Sequence, residues 1–189
     1  MKSILKILDT TFKLSLEAKN LLINKLEPIS YKKEVLSFSD FEISNYAYFI
    51  ESGAVKNHYI NNDGDKTVVW FGFEGDICIL LTKYLDIEHY PACFEFLEDT
   101  LFYRIKLSDL KQLYSTNIEW ANWGRKLAEI QLVKTYKEID EYRLMDAKKR
   151  YLHLIQNNEN IKNRVPIKDI ASYLGVSPVT ISRFRKNIK

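Results

Sequence analysis

Residues 166–186 read PIKDIASYLGVSPVTISRFRK, and the interpretation of the whole chain starts there. The first half spaces its apolar residues three or four apart, which predicts one buried helix face: Ile167, Ile170, Ala171 and Leu174. Gly175 suits the left-handed backbone that ends many helices. Ser177 and Pro178 suit an N-cap and the first position of a new helix. This sequence therefore predicts two short helices joined by a tight turn.

The predicted second helix buries Ile181 and has a mixed outer surface. Hydroxyls and small apolar groups come near its start and cations come further along: Val179, Thr180, Ser182, Arg183, Arg185 and Lys186. A helix with this surface suits the major groove of DNA. An ordinary helical hairpin with a basic face is the alternative. A DNA-binding helix-turn-helix is preferred, because several physical requirements coincide within about twenty residues.

Charge is distributed unevenly along the chain. The formal net charge is +3. Residues 148–189 hold ten Lys and Arg against two Asp and Glu, a net of +8, which leaves −5 for the remainder. A basic end on an acidic body is typical of a protein that binds nucleic acid through that end, although basic ends are also common as solvated faces.

Composition indicates a soluble globular protein. The chain has 189 residues, of which 46% are hydrophobic and 28% charged. Apolar runs stay well short of the roughly 20 residues that span a bilayer, and the first twenty residues lack a signal-peptide core. We therefore expect a cytoplasmic protein that does not enter a membrane.

Cysteine and histidine give little support for special chemistry. Cys78 and Cys93 are expected to be buried thiols rather than a disulfide. The histidines are scattered: His58, His89 and His153. We expect no metal site, and since no nucleophile–base motif, phosphate loop or paired-carboxylate motif is present, we also expect no catalytic residues and no enzyme activity.

The pattern changes twice along the chain. Residues 4–26 have helical spacing and predict two short helices, the second starting at or beside Ser15. Residues 31–106 are rich in β-branched and aromatic residues and predict a sandwich or barrel-like β domain. The predicted strands are Tyr31–Leu36, Ala47–Glu51, Val55–Ile60, Lys66–Phe71, Phe94–Leu97 and Thr100–Lys106.

Helical spacing returns after residue 106. We predict a short helix over Leu107–Tyr114 capped by Ser108, a long helix from Asn117 to about Leu144, a helix over Asp146–Asn157, and a polar turn at 157–160. The long helix has apolar residues mostly three or four apart, which predicts a dimer seam; the alternative is a helix buried entirely within one chain. The proposed dimer face comprises Trp123, Leu127, Ile130, Val133, Tyr136 and Ile139.

This order of parts resembles the Crp/Fnr family of bacterial transcription regulators, in the compact form common in Bacteroidetes. Four segments carry the resemblance: YFIESGAVKNHYINNDGDKTVVWF (48–71), FEGD (73–76), LEDTLFYRI (97–105) and RVPIKDIASYLGVSPVTISRFRK (164–186). It implies an α+β fold with an N-terminal β-roll of the double-stranded β-helix or jelly-roll kind, flanked by helices. The implied units are a cyclic-nucleotide-binding-like domain (1–115), a dimerisation helix (116–145) and a helix-turn-helix domain (146–189). A homodimer on a palindromic operator follows, with half-sites about 34–36 Å apart. RNA polymerase is a further candidate partner.

The chain departs from the family's cyclic-nucleotide cassette. Gly75-Asp76 aligns with the start of that cassette, but apolar residues follow, and Tyr90-Pro91 stand where an arginine should meet the phosphate. A buried phosphate without its cation is costly, so we predict that cyclic AMP does not bind. No cofactor is expected, and an unknown, more apolar effector could occupy the space between β-roll and long helix. Its candidate pocket, with plain core as the alternative role, comprises Trp70, Phe73, Cys78, Leu80, Tyr90 and Cys93.

The family's β-hairpin wing has no counterpart before Lys189, so we expect the helix-turn-helix alone to contact DNA. The resulting candidates are Lys168, Ser177, Pro178, Val179, Thr180, Ser182, Arg183, Arg185 and Lys186. Val179 could meet a thymine methyl and Arg183 a guanine. Two alternatives to a ligand-gated regulator remain: a redox or metal sensor using Cys78, Cys93 and a histidine, and a β-roll that serves only for dimerisation or protein contact.

Overall fold

The computed structural model describes residues 1–33, 45–60, 64–85 and 92–186. Within them the chain forms nine helices and seven strands. The helices are α1 (Lys2–Thr11), α2 (Leu16–Ile23), α3 (Leu81–Tyr84), α4 (Leu107–Thr116), α5 (Ile118–Leu144), α6 (Ala147–Asn157), α7 (Glu159–Arg164), α8 (Ile167–Leu174) and α9 (Pro178–Lys186). The strands are β1 (Glu27–Tyr31), β2 (Tyr46–Ser52), β3 (Val55–Ile60), β4 (Lys66–Gly72), β5 (Ile77–Cys78), β6 (Ala92–Phe96) and β7 (Thr100–Lys106).

The strands form two antiparallel sheets. One has the order β1-β7-β2-β5 and the other β4-β3-β6. An apolar cluster from both sheets fills the space between them: Tyr48, Ile50, Val55, Cys78, Phe94, Phe96 and Phe102. The predicted α+β architecture, with a β-roll followed by helices, is confirmed.

Both faces of the four-stranded sheet are covered. Side chains along β2 therefore point alternately to opposite faces, yet they are buried on both. Tyr48 and Ile50 point to the other sheet, whereas Ala47 and Phe49 point to the helices. All four are almost completely buried. The helical side is covered by α1, α2, α4 and the first turns of α5.

The start of α5 is part of this core. Trp120 and Trp123 are 0% and 1% exposed, and their rings lie 5.3 Å apart. The Trp120 indole N–H donates to the Ala18 carbonyl oxygen at 2.8 Å, and that of Trp123 donates to the Leu8 carbonyl oxygen at 3.3 Å. Because Trp123 is enclosed by its own chain, its predicted place on the dimer face is wrong.

Most strand predictions agree with the structure to within about two residues. The first is displaced: β1 begins at Glu27 and ends at Tyr31, where the predicted strand only started. Pro28 is tolerated there because β1 is an edge strand. Residues 34–36 of the prediction lie outside the described residues. The two-residue β5 was not predicted, since a glycine turn precedes it and it is too short to show alternation.

Helix ends are set by side-chain caps. Asn117 accepts from the Trp120 N–H at 3.1 Å, and Ser15 and Asp146 cap α2 and α6. Ser108 is not a cap as predicted, because α4 already begins at Leu107. The predicted polar turn at 157–160 is wrong in part: Asn158 accepts from the Ile161 N–H at 3.1 Å and starts α7. Asn is favoured at this position.

Helices α6–α9, here called the head, pack against the three-stranded sheet of the remaining structure, here called the body. Tyr173 of α8 lies 5.4 Å from the ring of Phe71 on β4. Ala54, Val68 and Leu97 of the body share one apolar cluster with the head. Among the described helices, none has both the length and the apolar character needed to cross a bilayer.

Candidate nucleic-acid interface and cavity

Helices α8 and α9 form the predicted helix-turn-helix. Gly175 ends α8 with φ 67° and ψ 34°, in the left-handed region. The Gly175 N–H donates to the Ser172 carbonyl at 3.2 Å and the Val176 N–H to that of Ala171 at 3.0 Å. A Cβ at residue 175 would meet no atom within 4 Å, so glycine serves the backbone conformation rather than space.

The start of α9 is fixed by hydroxyls. The Thr180 N–H donates to Ser177 Oγ at 3.1 Å, which is the predicted N-cap bond. The two hydroxyl oxygens, Ser177 Oγ and Thr180 Oγ1, lie 2.8 Å apart and are hydrogen-bonded. Ser182 Oγ donates to the Pro178 carbonyl at 3.0 Å. These hydroxyls therefore already hold the helix, and each keeps some hydrogen-bonding capacity that these bonds do not use.

The inner faces of the two helices close on one another as the spacing predicts. Ile170 and Ala171 are each 1% exposed, Leu174 is 5% and Ile181 is 0% exposed. Phe184 extends this contact to Tyr151 of α6, with ring centroids 5.9 Å apart. The core fixes the rotation of α9 and so determines which side chains point outward.

The outer face of α9 is uncovered. Every predicted DNA contact is exposed except Thr180, which is half-buried: Lys168, Ser177, Pro178, Val179, Ser182, Arg183, Arg185 and Lys186. Val179 is 60% exposed. Arg183, Arg185 and Lys186 form no ion pair with any residue in the described ranges, so their charges are available to phosphates.

A cavity of about 740 Å³ lies between the β-roll with its flanking helices and α5, in the space that the sequence assigned to an effector. Its wall is mainly aromatic and aliphatic and includes Phe49, Ile77, Tyr114 and Leu127. The lining also carries three charged residues: Asp76, Arg125 and Lys134.

The predicted pocket residues are only partly brought together. Trp70 lines the cavity. Phe73 packs in the cluster shared with the head, while Cys78 and Leu80 belong to the cluster between the sheets. Cys93 pairs with His58 across β6 and β3, and Tyr90 lies outside the described residues. Neighbouring strand residues face opposite sides, so Ile77 reaches the cavity and Cys78 does not.

Burial raises the pKa values of two acidic groups in this region, Asp76 and Cys78. Burial raises the pKa of Asp76 above 3.8, although its bond from the Phe73 N–H acts in the opposite sense. Burial also raises the pKa of the Cys78 thiol well above 9.0, which keeps it an inert thiol. Both cysteines are free, and no cluster of three His, Cys, Asp or Glu that could hold a metal occurs in the described ranges.

Beyond residue 127, the side chains of α5 are exposed through residue 140. The proposed dimer residues after Leu127 do not share one face, because a step of three residues turns back by about 60° each time. Ile130 and Val133 flank a shallow groove with lysines. A different set keeps alternating intervals of four and three, the coiled-coil spacing: Ala128, Leu132, Thr135, Ile139 and Tyr142. Counting in heptads would have placed Leu132 in this set from the sequence.

No protein-family model matches the sequence, and no curated protein matches it. Solved structures do match. FixK2 from Bradyrhizobium japonicum is 20% identical over 86% of this chain and 84% of its own, with a TM-score of 0.69. A protein from Eubacterium rectale assigned to the Crp/Fnr family is 19% identical over 92% and 83%, with a TM-score of 0.67. The c-di-GMP-responsive regulator CLP from Xanthomonas campestris is 15% identical over 92% and 91%, with a TM-score of 0.65.

Proposed function

Because the chain has the fold of the Crp/Fnr family of transcriptional regulators, we propose that it is a homodimeric, sequence-specific DNA-binding regulator that does not respond to cyclic AMP. It would act in the cytoplasm on a palindromic operator, without catalytic activity, and RNA polymerase is a candidate partner. The observation that carries the proposal is the uncovered face of α9 at the basic end of the chain.

The surface of α9 supports base recognition in the major groove. Val179, 60% exposed at the first turn, offers an apolar contact for a thymine methyl. Arg183 follows one turn later with an exposed side chain and can reach a guanine edge. Arg185 and Lys186 flank it and suit the phosphate backbone.

The far half of α5 supports dimerisation. Leu132 and Ile139 are 55% and 39% exposed, seven residues apart on one face. Isolated large apolar side chains on a solvated helix are common, but a heptad-spaced set indicates a partner helix. Leu132 also lines the cavity, so a second copy on this face would border its mouth.

Replacing Arg183 by alanine should weaken operator binding by about 1–3 kcal/mol, or roughly 5- to 150-fold, if it reads a base edge. The measurement is fluorescence anisotropy at fixed salt with a palindrome selected from a random DNA library. Arg104→Ala is the matched control, because it removes the same charge from the body, where Arg104 pairs with Glu27. Equal affinities for Arg183→Ala and the wild type would remove Arg183 from base recognition.

Isothermal titration with cyclic AMP should give no binding in the micromolar range. Asp76 lines the cavity where a phosphate would come, and Ile77 follows it with an apolar side chain. Like charge and lost hydration both oppose an anion beside this turn, and the two cations of the lining, Arg125 and Lys134, lie on α5 instead. Micromolar binding would contradict the proposal that this regulator ignores cyclic AMP.

The cavity favours an apolar effector over a β-roll used only for dimerisation or protein contact. A concave space lined by aromatic and aliphatic side chains is typical of ligand sites. The redox and metal hypotheses receive no comparable support. Burial raises the pKa of the Cys78 thiol, and the described ranges hold no cluster of three His, Cys, Asp or Glu that could bind a metal.

A further inference from the structure

Arg164, the last residue of α7, joins the head to the body through a complete set of hydrogen bonds. Its Nε and Nη2 donate to the two carboxylate oxygens of Glu98 at 2.9 and 2.7 Å. Its Nη1 and Nη2 donate to those of Glu74 at 2.7 and 2.9 Å. The remaining Nη1 proton donates to Asn160 Oδ1 at 3.1 Å. All five N–H groups of the guanidinium are therefore used.

This arrangement needs an arginine. Two bidentate carboxylate contacts fit the planar fork of a guanidinium, whereas a lysine offers three donors from one point. The guanidinium also lies over the Phe73 ring, 5.3 Å from its centroid. Burial alone would raise the pKa of Glu74, but the bonds from Arg164 and from backbone N–H groups hold it below 4.5. The Arg164–Glu74 ion pair therefore stays charged at neutral pH.

Glu74 belongs to a turn that touches both the head and the cavity. In the turn 73–76, Asp76 Oδ2 accepts from the Phe73 N–H at 2.9 Å. The turn is tied to β2 by bonds from the Gly75 N–H to the Ile50 carbonyl and from the Ile50 N–H to the Asp76 carbonyl, at 2.9 and 3.0 Å. Asp76 lines the cavity. Glu74, two residues before Asp76 in the chain, contacts Arg164.

We propose that Arg164 is a latch that holds the head in one position on the body, through which the 73–76 turn transmits changes at the cavity to the helix-turn-helix. When the latch is closed, α8 lies against β4 and α9 points away from the body. In a dimer, the fixed head would set the separation of the two α9 helices. The proposal rests on the proposed function only in taking the head as the DNA-binding unit.

A second head–body contact provides a direct measure of docking. The Val68 N–H on β4 donates to Ser172 Oγ on α8 at 3.0 Å. If the head separates from the body, this amide loses its partner and meets water. Its hydrogen exchange therefore reports docking without DNA or effector. Failure of the latch and failure of the DNA-binding proposal are thus distinguishable.

The test compares Arg164→Ala and Arg104→Ala by residue-resolved hydrogen exchange on the full chain. Both arginine side chains are 22% exposed, both pair with a glutamate, and both lie over an aromatic ring. Of these two arginines, only Arg164 bridges head and body. We expect Arg164→Ala to speed exchange at Val68 by about tenfold or more, because even one of its four charge-assisted hydrogen bonds is worth that much. Arg104→Ala should leave Val68 unchanged.

Two further variants complete the experiment. Glu98→Gln weakens only the contact between Arg164 and Glu98, so it should increase Val68 exchange less than Arg164→Ala. This milder variant keeps the test valid if Arg164→Ala fails to fold. Asp76→Ala opens the 73–76 turn without touching Arg164, and it should also speed exchange at Val68. Unchanged Val68 exchange in Arg164→Ala, or an equal increase in Arg104→Ala, overturns the latch. Unchanged exchange in Asp76→Ala overturns the link to the cavity.

Discussion

Substituting Ile139 with glutamate is expected to turn the protein from a dimer into a monomer at micromolar concentrations. Ile139 lies on the face of α5 that carries the heptad-spaced residues, and it is 39% exposed in the single chain. In a paired seam, each new carboxylate would lose water against an apolar partner helix, at a cost of several kcal/mol per ion. The dimer dissociation constant should therefore rise by about a hundredfold or more, measured by sedimentation velocity over a concentration series.

Ile130→Glu is the matched control for this experiment. Ile130 is the same residue type on the same helix and is 42% exposed. It lies nine residues away, which at about 100° per residue places it on the opposite face. There a glutamate would have Lys126 and Lys134 at i±4 and would remain solvated. Ile130→Glu should stay dimeric.

The pair of variants separates the possible seams. Dissociation by Ile130→Glu but not by Ile139→Glu would place the seam on the lysine-rich face instead. If neither variant changes the sedimentation coefficient, α5 does not pair at all. Operator affinity should fall together with dimerisation in Ile139→Glu, because one head then binds one half-site.

Local patterns in the sequence were sufficient for elements whose cause is local. Thr100–Lys106 and Val55–Ile60 were predicted with the observed bounds because alternation and turn residues both mark them. The helix-turn-helix followed from Gly175 and Ser177, since a left-handed residue and a cap act on their immediate neighbours. The position of Asn117 at the start of α5 is of the same kind.

Features that depend on distant pairing were not predictable in this way. Arg164 meets its two glutamates across 66 and 90 residues of chain, and no spacing rule connects them. The prediction of the cavity lining was incomplete for a related reason. Whether Ile77 or Cys78 faces the cavity depends on the register of a two-residue strand. Trp123 has the right spacing for a dimer face. Spacing alone does not tell whether a second chain or the protein's own core covers the side chain.

The second large effect is expected at Lys56, a buried cation between head and body. Lys56 Nζ lies 2.8 Å from Asp169 Oδ1 on α8 and 2.9 Å from Glu95 Oε2 on β6. Lys56 and Asp169 are 8% and 6% exposed. Lys56→Met should lower the free energy of unfolding by about 3–5 kcal/mol, because it leaves a buried carboxylate without its partner.

Replacing both partners should cost far less than replacing one. In Lys56→Met/Asp169→Leu no charge from this pair is left buried, so most of the lost stability should return. Lys25→Met is the control: Lys25 pairs with Asp109 at 2.6 Å, but both side chains are about one-third exposed, and such pairs contribute at most about 1 kcal/mol. Urea denaturation followed by circular dichroism measures all three. A double variant as unstable as Lys56→Met would show that the lysine stabilises through packing of its stem rather than through charge.

The effect of Lys56→Met should also depend on pH with a definite sign. Burial would lower the pKa of Lys56 and raise that of Glu95, but their hydrogen bonds outweigh it, so the lysine pKa lies above 10.5 and the glutamate pKa below 4.5. The stability from Glu95 is therefore present above pH 4.5 and lost as the pH falls through its lowered pKa, while that from Lys56 is lost only as the pH rises through its raised pKa.

His58, buried beside Glu95 at 3.7 Å, has a pKa below 6.5 because of burial, and the loss of Lys56 would let it take a proton more readily. The stability difference between wild type and Lys56→Met should thus be largest above pH 6.5 and shrink on acidification, first as His58 replaces the missing cation and then as Glu95 is neutralised. A difference that grows on acidification would contradict this charge assignment.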